Sequence, residues 1–205
     1  MLSQIRPAIV LLVLFTALTG LAYPLAITGV AQIVMPHQAN GSLVLNAAGQ
    51  PVGSALIGQN FASDKYFHPR PSATQAQDPA HPDDSSKTID APYNAANSTG
   101  SNLGPTSQKL IDRVKADVAA QRKAGATGPI PADSVTTSAS GLDPHISPEN
   151  ALAQVAAVAK ARNLPADKVR AVVDDNTEGR ALGVIGEPRV NVLRLNMALD
   201  AMTAS

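Results

Sequence analysis

The sequence predicts an α+β chain: a mixed α/β domain carried behind a single N-terminal transmembrane helix. Three observations predict it. Between Arg6 and Asp64 there is no Asp, Glu, Lys or Arg, so the first quarter of the chain suits an apolar solvent and the rest does not. Leucine and β-branched positions then flank a Gly-containing connection, the mark of a short hairpin. From Ser107 onward, apolar residues recur at helical spacing in several separate stretches.

With 205 residues, the chain has room for about one ordinary domain and an appendage. Its 16 basic and 16 acidic side chains cancel, so no long-range field selects nucleic acid or a strongly acidic partner. Cysteine is absent, which excludes a disulfide framework and a thiolate metal site and fits either side of a membrane.

Residues 1–7 form a short N-terminus, and 8–35 are uncharged and mostly apolar. As a helix those 28 residues reach about 42 Å, enough to cross roughly 30 Å of hydrocarbon once and not twice. Pro24 removes the hydrogen bond to the Gly20 carbonyl, so a bend is expected between Gly20 and Pro24. Thr16, Gly20, Tyr23 and Ile27 share a face, with Ala22, Ala26 and Gly29 near another. Small residues let a second helix approach, although a single-pass anchor also contains some Gly and Ala by chance. A cleaved signal peptide ending at Gly20-Leu21-Ala22 is the competing reading. The apolar run continues for 13 residues past Ala22, which favours a retained anchor. Arg6, the one flanking charge, puts the N-terminus in the cytoplasm and residues 36–205 outside.

The outer segment is poor in aromatics, and Phe61, Tyr66 and Phe67 cluster within seven residues as a local plug in an aliphatic core. Gly41 to Gly58 reads as two strands around a turn at Ala48 to Gln50. From about 68 to 105 the chain carries six prolines and little apolar periodicity. This is a long loop, either a docking surface or slack. A helix follows Ser107, with Leu110, Ile111, Val114 and Val118 on one face and Gly125 as its stop. "SPEN" places Ser147 as N-cap and Pro148 at the first helical position of a second helix running to about Asn163. A third begins near Pro165 and ends before Asn176. Pro188 offers the start of a last helix through Val192, Leu195, Leu199 and Met202, yet 190–196 alternates enough to be a strand.

Two stretches invite a chemical reading. "NSTGSNLGPTSQKLIDR", 97–113, sets Gly100, Ser101, Asn102 and Gly104 before a helix bearing Lys109 and Arg113, so backbone N–H groups and a helix N-terminus could meet a phosphate. A Walker loop would need G-x-x-x-x-G-K-[ST]. No lysine stands at that place, and Pro105 removes a donor, so a tight turn with a helix cap is the preferred reading. Asp143 and His145 flank Pro144 directly before a cap, which favours a structural turn over a base or a metal ligand. Glu178, Arg180, Glu187 and Arg189 read as pairs that fix loops, or as polar contacts to a partner. "SASGLDPH" does not match G-x-S-x-G, and no D-K-T-G phosphorylation motif is present, so no catalytic residue is assigned.

"GSALIGQNF" at 53–61, "YFHPRPSA" at 66–73, "GSNLGPTS" at 100–107, "SGLDPHIS" at 140–147, "TEGRALGVIGEPRVNVLRLNMAL" at 177–199 and the single span with its "YP" together resemble the C subunit of the Kdp potassium-transporting ATPase. The resemblance runs over nearly the whole chain in the family's order. His68 and Pro69 stand where that family often has Trp and Gly.

The resemblance implies a bacterial inner-membrane complex: an A subunit that conducts potassium, a B subunit that is the P-type ATPase, and a small F subunit. Its C subunit is a non-catalytic component needed for assembly and activity, described as a catalytic chaperone that raises the ATP affinity of the B subunit. It carries no firmly bound cofactor or metal. ATP acts through the complex, and potassium is carried by a partner. Tyr66, Phe67, Arg70, Asp143, His145, Glu187 and Arg189 are the motif positions expected to face a partner, and Thr16, Gly20, Tyr23, Pro24 and Ala26 those expected to pack in the membrane. Direct ATP contact through 100–113 is the alternative, although an outward-facing loop would not meet cytoplasmic ATP. A soluble secreted domain after signal cleavage is the second alternative.

Overall fold

The computed structural model describes residues 2–203. The chain divides into two compact units, Met1–Ser54 and Ala55–Ser205.

In the first unit, helix α1 (Ile5–Ala17), a π-helical turn (Leu18–Ala22) and helix α2 (Tyr23–Val34) run on without a break. Together they make 30 residues with no buried side chain. At 1.5 Å per residue that is about 45 Å, long and apolar enough to cross a membrane. The irregularity expected at Gly20 to Pro24 takes the form of the π turn. A proline ring collides with the carbonyl four residues back, and widening the turn by one residue moves that carbonyl aside: the Tyr23 N–H bonds to Leu18 O, five residues back.

A one-turn helix α3 (Pro36–Ala39) leads into strands β1 (Leu43–Leu45) and β2 (Pro51–Ser54), which pair antiparallel with Leu43 opposite Ser54. The turn is held by Asn46, whose Oδ1 accepts from the N–H groups of Ala48 at 3.0 Å and Gln50 at 2.9 Å. An Asn side chain reaching forward to the backbone is the standard stabiliser of such a turn.

The second unit includes, at about 68–105, the segment expected to be one long loop. It contains an antiparallel hairpin, β3 (Gln75–Gln77) with β4 (Thr88–Asp90). Ala76 opposes Ile89 on one face and polar residues fill the other, but each strand has only three residues, too short a run for the alternation to read as a strand. Helix α4 (Gln108–Lys123) follows. The chain turns at Gly125 and the Ala126 N–H caps Gln121 O at 3.0 Å.

Strand β5 (His145–Ile146) precedes helix α5 (Pro148–Arg162), whose N-cap Ser147 accepts from the Asn150 N–H. Asn163 ends α5 in the left-handed region at φ 55°, with the Leu164 N–H closing on Ala159 O at 2.9 Å. Helix α6 (Ala166–Asp175) and strand β6 (Thr177–Glu178) come next. The ambiguous last segment is both things in turn, strand β7 (Arg189–Asn191) and then helix α7 (Val192–Thr203). The three short strands form one antiparallel sheet in the order β5-β7-β6.

Helices α5, α6 and α7 close over this sheet around Ile146, Val155, Val158, Val169, Val173, Val190, Leu195 and Leu199, with Phe67 wholly buried among them. The aromatic plug forms as the sequence suggests. The rings of Phe61 and Tyr66 lie 5.5 Å apart, and the Arg162 guanidinium sits 4.9 Å over the Tyr66 ring.

Candidate functional site

Beside the sheet lies a cavity of about 610 Å³ whose lining includes Arg70, Asp133, Asp143, His145, Glu187 and Arg189. The motif residues Arg70, Asp143, His145, Glu187 and Arg189 are thereby brought to one place from three distant stretches of chain. Tyr66 and Phe67 belong elsewhere, to the aromatic plug and the core.

The wall of the cavity is built around Arg70. Its Nη1 donates to Asp143 Oδ2 at 3.1 Å, and its Nη2 donates to Thr137 O at 3.3 Å. Asp143 opens the turn expected before the helix cap: its Oδ1 accepts from the His145 N–H at 2.9 Å, and the His145 ring Nδ1 stands 3.6 Å from the same oxygen. Burial pushes the Asp143 carboxyl up. The His145 ring and N–H, with the Arg70 charge, outweigh that and hold it below the ordinary carboxylate value.

Behind Arg70 stands Tyr93, whose hydroxyl donates to Arg70 O at 2.8 Å. Burial first, and the Asp143 charge second, raise its phenol far above the usual range against the opposing Arg70 charge. It stays a neutral donor. Gly58 belongs to this wall by necessity, because a Cβ there would lie 2.5 Å from the Tyr93 ring and 2.7 Å from Asp143 O.

Asp133 occupies the mouth of helix α5. It accepts from the Ser147 N–H at 2.7 Å, the Ser147 hydroxyl at 2.9 Å and the Asn150 amide at 3.1 Å. A carboxylate already sits where a helix N-terminus would draw a phosphate. Among the described residues no cluster of His, Cys, Asp or Glu is placed to hold a metal ion. What the cavity presents is a set of fixed charges of both signs, suited to polar recognition of a segment carrying the complementary charges.

On the far rim the chain from Thr177 to Arg189 projects as a hairpin. Arg180 pairs with Glu187 at 2.6 Å, and Glu178 receives Arg189 at 3.1 Å and Arg194 at 3.5 Å. Its tip, bridged between Ala181 and Ile185, carries Leu182, Val184 and Ile185 at 90%, 75% and 61% exposure.

The glycine-rich stretch packs against the segment before the sheet. A Cβ on Gly100 would lie 2.7 Å from Ala139 O. The Ser98 hydroxyl donates to Ser140 O at 3.0 Å, and Thr137 Oγ1 reaches Ser101 Oγ at 3.4 Å. Asn102 takes a left-handed φ of 50°, while Gly104 has open space where its Cβ would be. Lys109 is exposed on α4; Arg113 is half-buried, with no partner for its Nε among the described residues. In the membrane-length helix Thr16, Gly20, Tyr23, Pro24 and Ala26 are all exposed.

Sequence reasoning misses Asp133, Tyr93 and the apolar tip. Asp133 acts across 14 residues on Ser147, and no local pattern announces that. The tip was legible in principle, since "RALGVIGE" sets Leu, Val and Ile between Arg180 and Glu187, but nothing in it says that they face solvent.

The chain matches the family described as KdpC, K+-transporting ATPase, c chain, over residues 5–201. It is 61% identical over 204 residues to the potassium-transporting ATPase KdpC subunit of Bradyrhizobium diazoefficiens, covering 100% of both chains. It is 62% identical over 201 residues to the subunit of that name from Rhodopseudomonas palustris, covering 98% of this chain and 99% of the relative. To that of Methylorubrum extorquens it is 60% identical over 199 residues, 97% of each.

Proposed function

This chain belongs to the KdpC family, the c chain of K+-transporting ATPases, and we propose that it serves such a complex as a membrane-anchored, non-catalytic subunit that docks through the hairpin tip at 181–185. The tip carries the reading. Three aliphatic side chains at 61% to 90% exposure, on a hairpin whose base is fixed by ion pairs, are a contiguous apolar feature that water does not favour and a partner would. Its mixed charges and lack of Trp, Tyr or Lys suit a protein surface better than a lipid headgroup layer.

In this reading the helix Ile5–Val34 holds the chain in the inner membrane with the N-terminus in the cytoplasm. Arg6, in the first turn of that helix, is the only Asp, Glu, Lys or Arg before Asp64, which supports that orientation. Residues 55–205 then lie outside, where the tip meets the potassium-conducting A subunit. The B subunit hydrolyses ATP, the F subunit completes the assembly, and any gain in ATP affinity reaches the B subunit through the other chains.

Replacing Leu182 or Ile185 by Asp in the full complex tests this. The variant chain is expected to keep its own melting temperature in detergent, as exposed positions do, and to lose the other subunits on purification along with potassium-stimulated ATP hydrolysis. Normal assembly and transport by both variants would refute the docking role.

A further inference from the structure

The membrane-length helix carries a hydrogen-bond deficit near its middle. Tyr23 donates to Leu18 O across the π turn, and in α2 the regular pattern, each N–H bonding four residues back, brings Ala26 to Ala22. Between those two bonds stand the carbonyls of Thr19, Gly20 and Leu21. Facing them are only Pro24, which has no N–H, and Leu25, which has one. Two of the three carbonyls are therefore left without a backbone donor from the described residues of their own helix. Thr19 does not make good the loss with its side chain, because its hydroxyl donates to Phe15 O at 2.6 Å.

Water would satisfy these carbonyls on an aqueous surface, but inside hydrocarbon every backbone polar group needs a partner from protein. Gly20 leaves the place for one. An ideal Cβ there meets nothing within 4 Å beyond the helix's own backbone, so on the Gly20 side a second helix can approach closely.

From this we infer that the Gly20 side of the π turn is a docking notch for a transmembrane helix of another subunit of the complex, and that this helix brings a side-chain N–H or O–H donor to the Thr19–Leu21 carbonyls. The chemistry selects the occupant. Lipid tails offer no donor, and a second copy of this helix would bring the same bare acceptors to the same depth. A neighbouring helix with Ser, Thr, Asn, Gln or Lys facing the notch supplies what is missing. The inference rests on the reading of this chain as a membrane-anchored subunit of a K+-transporting ATPase.

The test uses the whole complex in native membranes. A photo-reactive amino acid replaces Leu21, a large side chain by another, and cross-linked peptides are identified by mass spectrometry. The expected product joins residue 21 to a transmembrane segment of another subunit, with a donor side chain within one turn of the linkage. Replacing that donor by its apolar counterpart, Ser→Ala or Thr→Val, is then expected to weaken recovery of this chain with the complex. In parallel, Gly20→Leu should lower that recovery about tenfold, while Ala22→Leu, about 200° round the helix, should change it less than about twofold.

Adducts to lipid alone, to a second copy of this chain, or to a wholly aliphatic segment would overturn the inference. So would a Gly20→Leu chain recovered with its partners as well as the original. Failure of the inference is separable from failure of the function it rests on: in the first case the unaltered chain still purifies with the other subunits, and in the second it does not.

Discussion

The side-chain amide of Asn196 closes both hydrogen bonds of the Phe67 backbone, accepting from its N–H at 2.8 Å and donating to its carbonyl at 3.0 Å. Asn196 is 1% exposed and Phe67 wholly buried, so helix α7 supplies the backbone partners that a neighbouring strand would otherwise provide. One residue on, Gln154 of α5 repeats the arrangement with His68, at 2.7 Å to its N–H and 3.1 Å to its carbonyl. These two amides hold an extended segment across two helices. That fixes the entry to Arg70, and so the wall of the cavity.

Replacing Asn196 by Ala strands a buried N–H and a buried carbonyl, and the expected loss is about 2–4 kcal/mol of stability. Asn196→Asp should be at least as damaging, because a carboxylate oxygen would face the Phe67 carbonyl in a dry site. Gln154→Ala, at a half-buried site, should cost about 1 kcal/mol. Thermal unfolding of the full chain in detergent measures all three.

The glycine-rich loop offers a sharper contrast. Gly100→Ala places a Cβ 2.7 Å from Ala139 O, a backbone atom with no flexible end to yield, so destabilisation of about 1–3 kcal/mol is expected. Gly104→Ala enters open space and should stay within about 0.5 kcal/mol. If both changes left stability untouched and both lowered the ATP affinity of the complex, the loop would be a ligand cradle and not a packing element.

The helices and the first hairpin were legible because each carries its own punctuation. Ser147, Pro148 and Asn163 mark the ends of α5 by local chemistry, and Asn46 with Gly49 marks the β1–β2 turn. The β3–β4 ribbon was not legible, because Ala76 and Ile89 are the only apolar pair on its one apolar face, and three residues per strand are too few for alternation to stand out. The segment 190–196 looked ambiguous because it is two elements in succession, Asn191 closing the strand while its Oδ1 accepts from the Arg194 N–H at 3.1 Å to start α7. For the cavity, the motif words named Arg70, Asp143, His145, Glu187 and Arg189, but together with Tyr66 and Phe67, which lie elsewhere. The geometry of Arg70, Asp143 and His145 depends on Tyr93, Gly58 and Asp133, which reach them from across the fold, and long-range pairing has no local signature.

Asp143, held against burial by the His145 ring and N–H and then by the Arg70 charge, gives stability a pH dependence. The folded Asp143 carboxyl lies below its ordinary value, so folding is favoured by the ionised form. That contribution is fully present above the unfolded value near 3.9 and fades as pH falls through the lower folded value. The stability gap between the original chain and Asp143→Asn should be widest near neutrality and close in acid. Urea unfolding in detergent at a series of pH values measures it, and a gap that widened in acid would contradict stabilisation of the ionised carboxyl by His145 and Arg70.

Lys109 and Arg113 decide whether this chain touches nucleotide. Both lie on α4 behind the glycine-rich loop, where they are the first two cations of that helix. Lys109 is exposed and its removal should leave the fold intact, so Lys109→Ala isolates binding from stability. Arg113 has its Nε shut away from solvent without a partner among the described residues, so Arg113→Ala removes packing as well as charge, and Arg113→Met keeps the stem while discarding the guanidinium. If ATP affinity reaches the complex by contacts between subunits, the dissociation constant for ATP measured on complexes carrying Lys109→Ala or Arg113→Met should change less than about twofold. If either side chain instead holds a phosphate directly, its replacement should weaken ATP binding by about tenfold or more, since charge-assisted hydrogen bonds are worth about 1.5–3 kcal/mol.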